Sequence, residues 1–345
     1  IYSLFGHCTT LREIKAQGRV VLPGFVDSHT HGVFGGFRAD EFRWRLEGKT
    51  YMEIMNQGGG IQTTVNATRQ CSVADLVENA SWLISRMISM GVTTAEVKSG
   101  YGLDFNSEAK MLAAIGELAA KRNIEIVPTF MGAHAVPAEF ADRSSDYVDY
   151  IIEKMLPKFR KVAKFCDVFT EKNVFELEDS RRLMEAARKM GYLLKFHADE
   201  IVPLGGAELA VELGATSADH LLHVSDEGIR RLAESETVAT LLPLTAFALK
   251  EEYAPARKMI DAGCAVALAT DLNPGSCFSG SIPLTIALAC IYMKMSVEEV
   301  ITALTINGAA ACALAHRKGS LQPGKDGDLV ILNFNNINML PYYVG

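Results

Sequence analysis

The feature that most constrains the fold is an alternation of β-rich runs with helical stretches along most of the 345 residues. The β-rich runs are short, and most of them precede a stretch with apolar residues at i, i+3 and i+4. Such alternation is typical of parallel sheets whose strands are joined by crossover helices. The eight predicted strands cover residues 24–31, 93–99, 124–131, 167–171, 193–199, 216–220, 237–242 and 265–271.

Glycines mark the points where the predicted helices end. Gly91, Gly191, Gly214 and Gly263 each follow an amphipathic stretch and precede a β-rich run. Glycine is the residue most often found just beyond a helix C-terminus, where the backbone turns left-handed. The predicted helices cover residues 74–90, 107–121, 146–161, 180–190, 205–213, 226–233 and 253–262.

The number and order of these elements favour a (β/α)8 TIM-type barrel over a doubly wound sheet. Polar residues cluster at nearly every strand end, as in a barrel, whereas a doubly wound sheet concentrates its chemistry at one switch point. The first strand is followed by no dinucleotide-binding or P-loop glycine motif. The long connection over 31–74 is interpreted as a functional loop above the barrel mouth, with an extra strand predicted over 58–65.

The two ends of the chain do not fit the barrel pattern. A short apolar run at 19–22 precedes it, and a turn-and-strand pattern at 319–332 follows it. We therefore predict a small β domain that is built from both termini. The predicted division is 1–22 and 316–345 for that domain, and 23–315 for the barrel.

Composition excludes several classes of protein. The net charge of −7 argues against a nucleic-acid-binding surface, and no window approaches the roughly 18 apolar residues of a membrane span. The seven cysteines are dispersed without a CxxC pair, which is typical of reduced thiols and predicts a cytoplasmic location. The apolar segment 282–295 suggests a homodimer interface, although barrel packing would explain it equally well.

Histidines and one aspartate at the predicted strand ends form a candidate metal site. His29 and His31 are two residues apart in a strand, so both side chains project from the same face. His197 ends the fifth predicted strand, and Asp271 ends the eighth. Three imidazoles and one carboxylate suit Zn²⁺ or Fe²⁺ and leave room for a water molecule.

Two further residues could perform proton chemistry beside this site. A metal ion lowers the pKa of bound water toward about 7, and hydroxide attack then needs a proton acceptor. Glu200 lies three residues beyond His197 and could act as general acid and base, while His220 could stabilise an oxyanion. Asp199 is either an orienting or a structural acid. Lys98 is interpreted as a buried or paired lysine, with a modified, metal-bridging lysine as the less favoured alternative.

Several motifs resemble a known family. The opening PGFVDSHTH at 23–31, the later histidine and the last-strand aspartate resemble the amidohydrolase superfamily. More specific stretches resemble the imidazolonepropionases within that superfamily. They lie at 31–38, 57–61, 94–102, 130–134, 195–200, 217–220 and 269–276.

The resemblance implies a distorted, amidohydrolase-like barrel that hydrolyses 4-imidazolone-5-propanoate to N-formimidoyl-L-glutamate in histidine degradation. It implies one Zn or Fe ion, whose hydroxide attacks the ring carbonyl while Glu200 transfers the proton and His220 is its electrostatic partner. Arg38 would bind the propionate of this small anionic substrate. The resemblance implies as metal ligands His29, His31, His197 and Asp271, and as substrate-binding residues Arg38, Tyr101, His134, Glu200, Asn273, Gly275 and Ser276.

Two other functions stay open at this point. A ring deaminase of the same superfamily would share the ligands, but a neutral nucleobase would not need Arg38 as a carboxylate clamp. A non-catalytic metal-binding protein is the other alternative, and loss of Glu200 or Asp271 would be its signature. Both residues are present.

Overall fold

Eight parallel strands form the centre of the molecule. The computed structural model describes residues 14–49, 53–54, 58–121 and 123–344. Within these residues, strands β2 to β9 pair with their neighbours in chain order, and each pair is parallel. The strands are β1 (Val21–Pro23), β2 (Phe25–Asp27), β3 (Val92–Lys98), β4 (Glu125–Ala133), β5 (Phe165–Thr170), β6 (Leu193–Ala198), β7 (Ser217–His220), β8 (Val238–Leu241), β9 (Val266–Leu268) and β10 (Leu329–Ile331).

The sheet closes just beyond the carboxyl ends of its first and last strands. The His31 N–H donates to the Leu272 carbonyl at 2.9 Å, and the Asp271 N–H donates to the His29 carbonyl at 3.0 Å. Thr30 and Leu272 form an isolated parallel bridge at the same level. The predicted TIM-type barrel is therefore confirmed, and a doubly wound sheet is excluded.

Helices surround the barrel at the predicted positions. All seven predicted helices are present within a few residues of their expected bounds, and the one expected over 146–161 contains a π turn at Ile151–Met155. The four glycines at helix ends all have positive φ, as predicted. The α-helices are Ala39–Leu46, Ile61–Gln70, Val73–Ser89, Phe105–Lys121, Ser144–Tyr150, Leu156–Phe159, Leu177–Lys189, Gly206–Glu212, Asp226–Ala233, Pro243–Leu249, Ala256–Asp261, Ile282–Ile291, Val297–Thr302, Gly308–Ala311 and Met339–Tyr342.

The extra strand that we predicted over 58–65 is wrong, because a helix spans Ile61–Gln70. Its buried residues are Thr64, Val65 and Thr68, which share one face at helical spacing. β-branched residues in this stretch favoured a strand locally. Packing of the apolar face outweighs that preference, as it commonly does for helices in proteins.

The terminal segments meet as the sequence analysis expected. Strands β1 and β10 pair antiparallel, with Val21 opposite Ile331. Residues 1–13, which belong to the predicted first part of the β domain, lie outside the described residues, as does Gln57 of the motif at 57–61. The exact division into domains stays a prediction.

The amino end of the barrel has an apolar floor. Val26, Val127 and Phe165 pack there against Ala309 and Cys312, from the helical segment after β9. This floor places the polar interior and the open site at the opposite end of the strands. Among the described residues, no helix is long and apolar enough to cross a membrane.

Replacement of a buried side chain of the helix Val73–Ser89 by alanine tests the packing around the barrel. Leu76 has no exposed surface, whereas Leu321 is half exposed. We expect Leu76→Ala to lower the free energy of unfolding by about 2–5 kcal/mol, because the lost contacts leave a cavity. Leu321→Ala is the matched control and should change it by less than about 0.5 kcal/mol. Urea denaturation followed by circular dichroism measures both, and equal effects would contradict the packing described here.

Candidate metal centre and active site

Five side chains from four strands meet at the carboxyl end of the barrel. His29 and His31 follow β2, His197 lies in β6, His220 ends β7, and Asp271 follows β9. Each of them is at most 3% exposed. Because parallel strands of a closed barrel end at one rim, residues up to 242 positions apart in the chain become neighbours.

The ligand atoms of the four predicted metal ligands are close together. The Nε2 atoms of His29 and His31 each lie 3.6 Å from Asp271 Oδ1. His197 Nε2 lies 3.4 Å from His31 Nε2. Tetrahedral ligands about 2.1 Å from a common ion are about 3.4 Å apart, so this spacing fits a metal ion. Two groups of three residues are close enough to bind an ion: His29, His31 and Asp271, and His29, His197 and His220.

Two buried carboxylates orient the imidazoles. The Nδ1–H of His29 donates to Asp219 Oδ2 at 2.7 Å, and the Nδ1–H of His197 donates to Asp167 Oδ1 at 3.1 Å. Among the described residues, His29 Nε2 has no hydrogen-bond partner although it is buried. A proton held on Nδ1 leaves the lone pair on Nε2, where it can bind a metal ion. His29 Nε2 is therefore a buried nitrogen whose lone pair is available to a metal ion.

Burial and nearby positive charge favour the neutral forms of His29 and His31. Burial lowers the pKa of His29 and His31 well below the ordinary value; Lys98 adds to the effect at His29 and His134 adds to it at His31. Burial raises the pKa of Asp271 to about 6. The hydroxyl of Thr245, which donates to Asp271 Oδ2 at 2.6 Å, acts in the opposite direction and lowers the pKa. Neutral imidazoles are the form that binds metals.

Glu200 and His220 lie together beside the ligand group. His220 Nε2 is 3.5 Å from Glu200 Oε2. Burial raises the pKa of Glu200 well above the ordinary value, and the negative charges of Asp271 and Glu171 raise it further. His220 has a φ of 77°, which is unusual for a residue other than glycine. Backbone strain of this kind often occurs at functional sites.

Asp199, for which two roles were open, acts as a structural acid in the turn that carries Glu200. Its carboxylate accepts four backbone N–H groups, at 2.8–3.1 Å, from the start of the next helix. On the other side of Glu200, the Glu171 carboxylate accepts the N–H of Ile201 at 2.8 Å. Two buried carboxylates therefore hold the backbone on both sides of Glu200. The four donors to Asp199 come from Leu204, Gly205, Gly206 and Ala207.

Tyr101 and His134 form one wall of the site. The ring centroid of Tyr101 lies 5.9 Å from that of His31 and 5.1 Å from that of His134, and His134 stacks on His31 at 4.8 Å. Both Tyr101 and its neighbouring backbone are buried, and the Glu108 carboxylate accepts N–H groups from Gly100, Gly102 and Leu103 at 2.8–3.1 Å. Glu108 thus holds the turn in which Tyr101 is placed.

Arg38 already has an acidic partner. Its Nε donates to Glu41 Oε2 at 3.0 Å, and its Nη2 pairs with Glu41 Oε1. Glu41 also accepts the Gly60 N–H at 2.7 Å. The Arg38 guanidinium packs on Gly275, where an added Cβ would lie 2.2 Å from Nη1. Arg38 is therefore next to the loop after Asp271, but its charge is shared with Glu41.

The loop 273–276 is folded by its own asparagine. Asn273 Oδ1 accepts the N–H groups of Gly275 and Ser276 at 2.9 and 2.8 Å, and its Nδ2 donates to the Asp271 carbonyl at 2.8 Å. Such a turn is typical of asparagine. The loop therefore connects Asp271 to the glycine on which Arg38 packs, and the hydrogen-bonding groups of the Asn273 side chain are all used within the loop.

Sequence reasoning missed the acidic residues that support the site. Their signal was present, because charged residues recur at every second position inside apolar strands, as in Glu96 and Lys98 or Lys195 and His197. Such residues face the barrel interior and have to be paired there. The supporting acids to which the sequence patterns gave no role are Glu41, Glu108, Asp167, Glu171 and Asp219.

The fold is shared with solved structures of low sequence identity. The 5-methylcytosine deaminase from Klebsiella pneumoniae, liganded with phosphonocytosine, aligns with a TM-score of 0.74 at 19% identity, over 97% of this chain and 87% of that chain. Guanine deaminase from E. coli aligns with a TM-score of 0.67 at 16% identity, over 96% and 78%. At this identity the likeness concerns the fold alone.

Sequence relatives are far more similar. A protein of Bacteroides thetaiotaomicron named imidazolonepropionase is 62% identical over 335 residues, which are 96% of this chain and 80% of that protein. The imidazolonepropionase of Porphyromonas gingivalis is 56% identical over 336 residues, 97% of this chain and 79% of its own length. A model of the amidohydrolase family matches residues 20–344. The chain therefore belongs to the amidohydrolase family and, within it, to the imidazolonepropionases.

Proposed function

We propose that this protein hydrolyses 4-imidazolone-5-propanoate to N-formimidoyl-L-glutamate in histidine degradation. The observation that carries the proposal is a cluster of ligand atoms beside the buried pair of Glu200 and His220. Asp271 Oδ1 lies 3.6 Å from Nε2 of His29 and of His31, and His197 Nε2 lies 3.4 Å from His31 Nε2. Relatives at 56–62% identity named imidazolonepropionase support the substrate. The reaction opens a cyclic amide by breaking its C–N bond.

One metal ion per chain would be held by His29, His31, His197 and Asp271. Zn²⁺ is our first choice because of the three nitrogens and one oxygen, and iron would use the same ligands. When bound, the ion supplies Lewis acidity, which makes hydroxide available from water near neutral pH and polarises a carbonyl group. Asp219 and Asp167 hold the imidazoles of His29 and His197 in the orientation that this requires.

Glu200 would transfer the proton. Its carboxylate takes the proton from the attacking water and releases it to the ring nitrogen as the C–N bond opens. Burial, which raises the pKa of Glu200, lets the carboxyl carry that proton at neutral pH. His220, 3.5 Å from Glu200, would donate a hydrogen bond to the oxygen on which negative charge develops.

The remaining predicted residues would position the substrate. Tyr101 and His134 would contact the ring, and the loop that contains Asn273, Gly275 and Ser276 would line its far side. Arg38 would bind the propionate and share its guanidinium between that group and Glu41. A neutral nucleobase, as in a ring deaminase, would offer this cation no carboxylate besides that of Glu41.

We further propose a cytoplasmic homodimer. The six cysteines in the described part of the chain are all free thiols, in keeping with a reducing compartment. The helix Ile282–Ile291 buries six residues against the rest of the chain but exposes Ile291 at 64%. Barrel packing therefore explains most of the apolar segment at 282–295, and light scattering of the purified protein would establish the oligomeric state.

Replacement of Glu200 tests its role as proton carrier. We expect Glu200→Gln to lower kcat by about 10²–10⁴-fold, because the amide cannot transfer the proton. Ultraviolet absorbance of the imidazolone ring measures turnover, and metal analysis should find unchanged metal content. Glu78→Gln, on an exposed helix position, is the matched control and should leave kcat unchanged. Full activity of Glu200→Gln would reject the role.

Replacement of Arg38 tests the propionate site. We expect Arg38→Ala to raise KM by about 10–100-fold, since a charged hydrogen bond contributes roughly 1.5–3 kcal/mol. A substrate analogue with a neutral amide in place of the propionate should show little difference between wild type and variant. Arg43→Ala, in the helix that follows Arg38 and with a side chain 67% exposed, serves as control. An equal loss on both substrates would argue against carboxylate recognition.

Removal of the metal tests the centre itself. We expect a chelator to abolish turnover and lower the melting temperature, because an ion that binds only the folded state stabilises it. One equivalent of Zn²⁺ or Fe²⁺ per chain should restore both properties in the wild type, whereas His29→Ala should not respond at stoichiometric metal. Unchanged activity in demonstrably metal-free protein would refute the proposed chemistry.

A further inference from the structure

A lysine inside the barrel connects the two carboxylates that orient the histidines. Lys98 is completely buried, and its Nζ lies 2.7 Å from Asp167 Oδ2 and 2.9 Å from Glu96 Oε1. It also lies 3.9 Å from Asp219 Oδ2. Three acidic side chains therefore surround one ammonium group away from solvent.

Two of these three acids are hydrogen-bonded to candidate metal ligands. Asp167 uses its other oxygen, Oδ1, to accept the Nδ1–H of His197 at 3.1 Å. Asp219 accepts the Nδ1–H of His29 at 2.7 Å with the oxygen that faces Lys98. Lys98 thus reaches His197 and His29, whose ring centroids lie 4.5 Å apart, through one intermediate residue each.

We propose that Lys98 is a positioning residue for the metal centre: it holds Asp167 and Asp219 where both can aim an imidazole Nε2 at the same point. The inference rests on the metal centre of the proposed function. The physical reason is that a buried carboxylate keeps a defined position only when its charge is compensated. Lys98 supplies that charge to Asp167 by direct contact, and it shares the compensation of Asp219 with Lys195.

The other buried lysine of the barrel has different contacts. Lys195 Nζ donates to Ser217 Oγ at 2.6 Å and to the Ala311 carbonyl at 3.2 Å, so it is tied to the floor of the barrel. It approaches only one of the two carboxylates, Asp219, at 3.5 Å. Lys195 is therefore a matched control, with equal burial but without the connection to His197.

The position of Lys98 also argues against the modified lysine considered above. A carbamate on Nζ would be an anion next to the carboxylates of Glu96 and Asp167, which now contact the ammonium. Like charges at that distance, away from water, repel strongly. The unmodified ammonium fits the site, and the lysine acts on the metal only through its acidic neighbours.

The test is metal affinity rather than activity. We expect Lys98→Met to weaken Zn²⁺ binding by about 10–100-fold in chelator competition, the range usual for outer residues that orient metal ligands. Cobalt-substituted protein should show a changed visible absorption spectrum, since the geometry of the ligands changes. Lys195→Met leaves the contact between Lys98 and Asp167 in place, so it should alter both readouts less than Lys98→Met does.

Two further variants keep the test informative if Lys98→Met does not fold. Lys98→Met combined with Glu96→Gln removes one charge of each sign, so the net charge of the interior is preserved, and it should still bind Zn²⁺ weakly. Lys98→Met should cost less affinity in an Asp167→Asn background than in wild type, because the contact to Asp167 is already lost there and only the longer contact to Asp219 remains. A zinc affinity and cobalt spectrum equal to wild type in folded Lys98 variants would overturn the inference. Wild type that binds zinc without turning over the imidazolone would reject the proposed substrate alone.

Discussion

Closure of the barrel is made by the backbone of the residues that carry the chemistry. His31 and Asp271 donate the two N–H groups that join the first strand to the last, and His29 accepts one of them. Three of the four candidate ligands therefore have their backbone positions set by the seam of the barrel. Because parallel pairing restrains the backbone at the strand ends, the positions of these side chains are restrained as well.

The barrel interior combines an apolar floor with a charged layer beneath the site. Burying Glu96, Asp167 and Asp219 is costly, and the cost is offset by Lys98, Lys195 and the donor atoms of the histidines. Burial opposes ionisation of Asp167, yet Lys98 and His197 hold the pKa of its carboxyl well below the ordinary value. An apolar interior would avoid the free-energy cost of burying charges, but it could not orient the imidazoles toward a cation.

Local patterns predicted the scaffold well because they depend on local physics. Short β-rich runs located all eight barrel strands, and glycines located the helix ends, since both follow from local backbone preferences. The error at 58–65 arose where β-branched residues favoured a strand but tertiary packing of Val65 and its neighbours selected a helix. Motif positions likewise identified the histidines and Asp271, which the structure brings together.

By itself, the sequence determined the order of strands and helices, the residue types at the strand ends and the family to which the chain belongs. Only the tertiary structure decided how the charges are paired: that Arg38 shares its guanidinium with Glu41, that Asp199 holds the turn before a helix, and that Lys98 connects two acids. The reason is that periodicity is a property of neighbouring residues, whereas a buried charge is stabilised by partners that are distant in the chain. Those partners become neighbours only when the barrel closes.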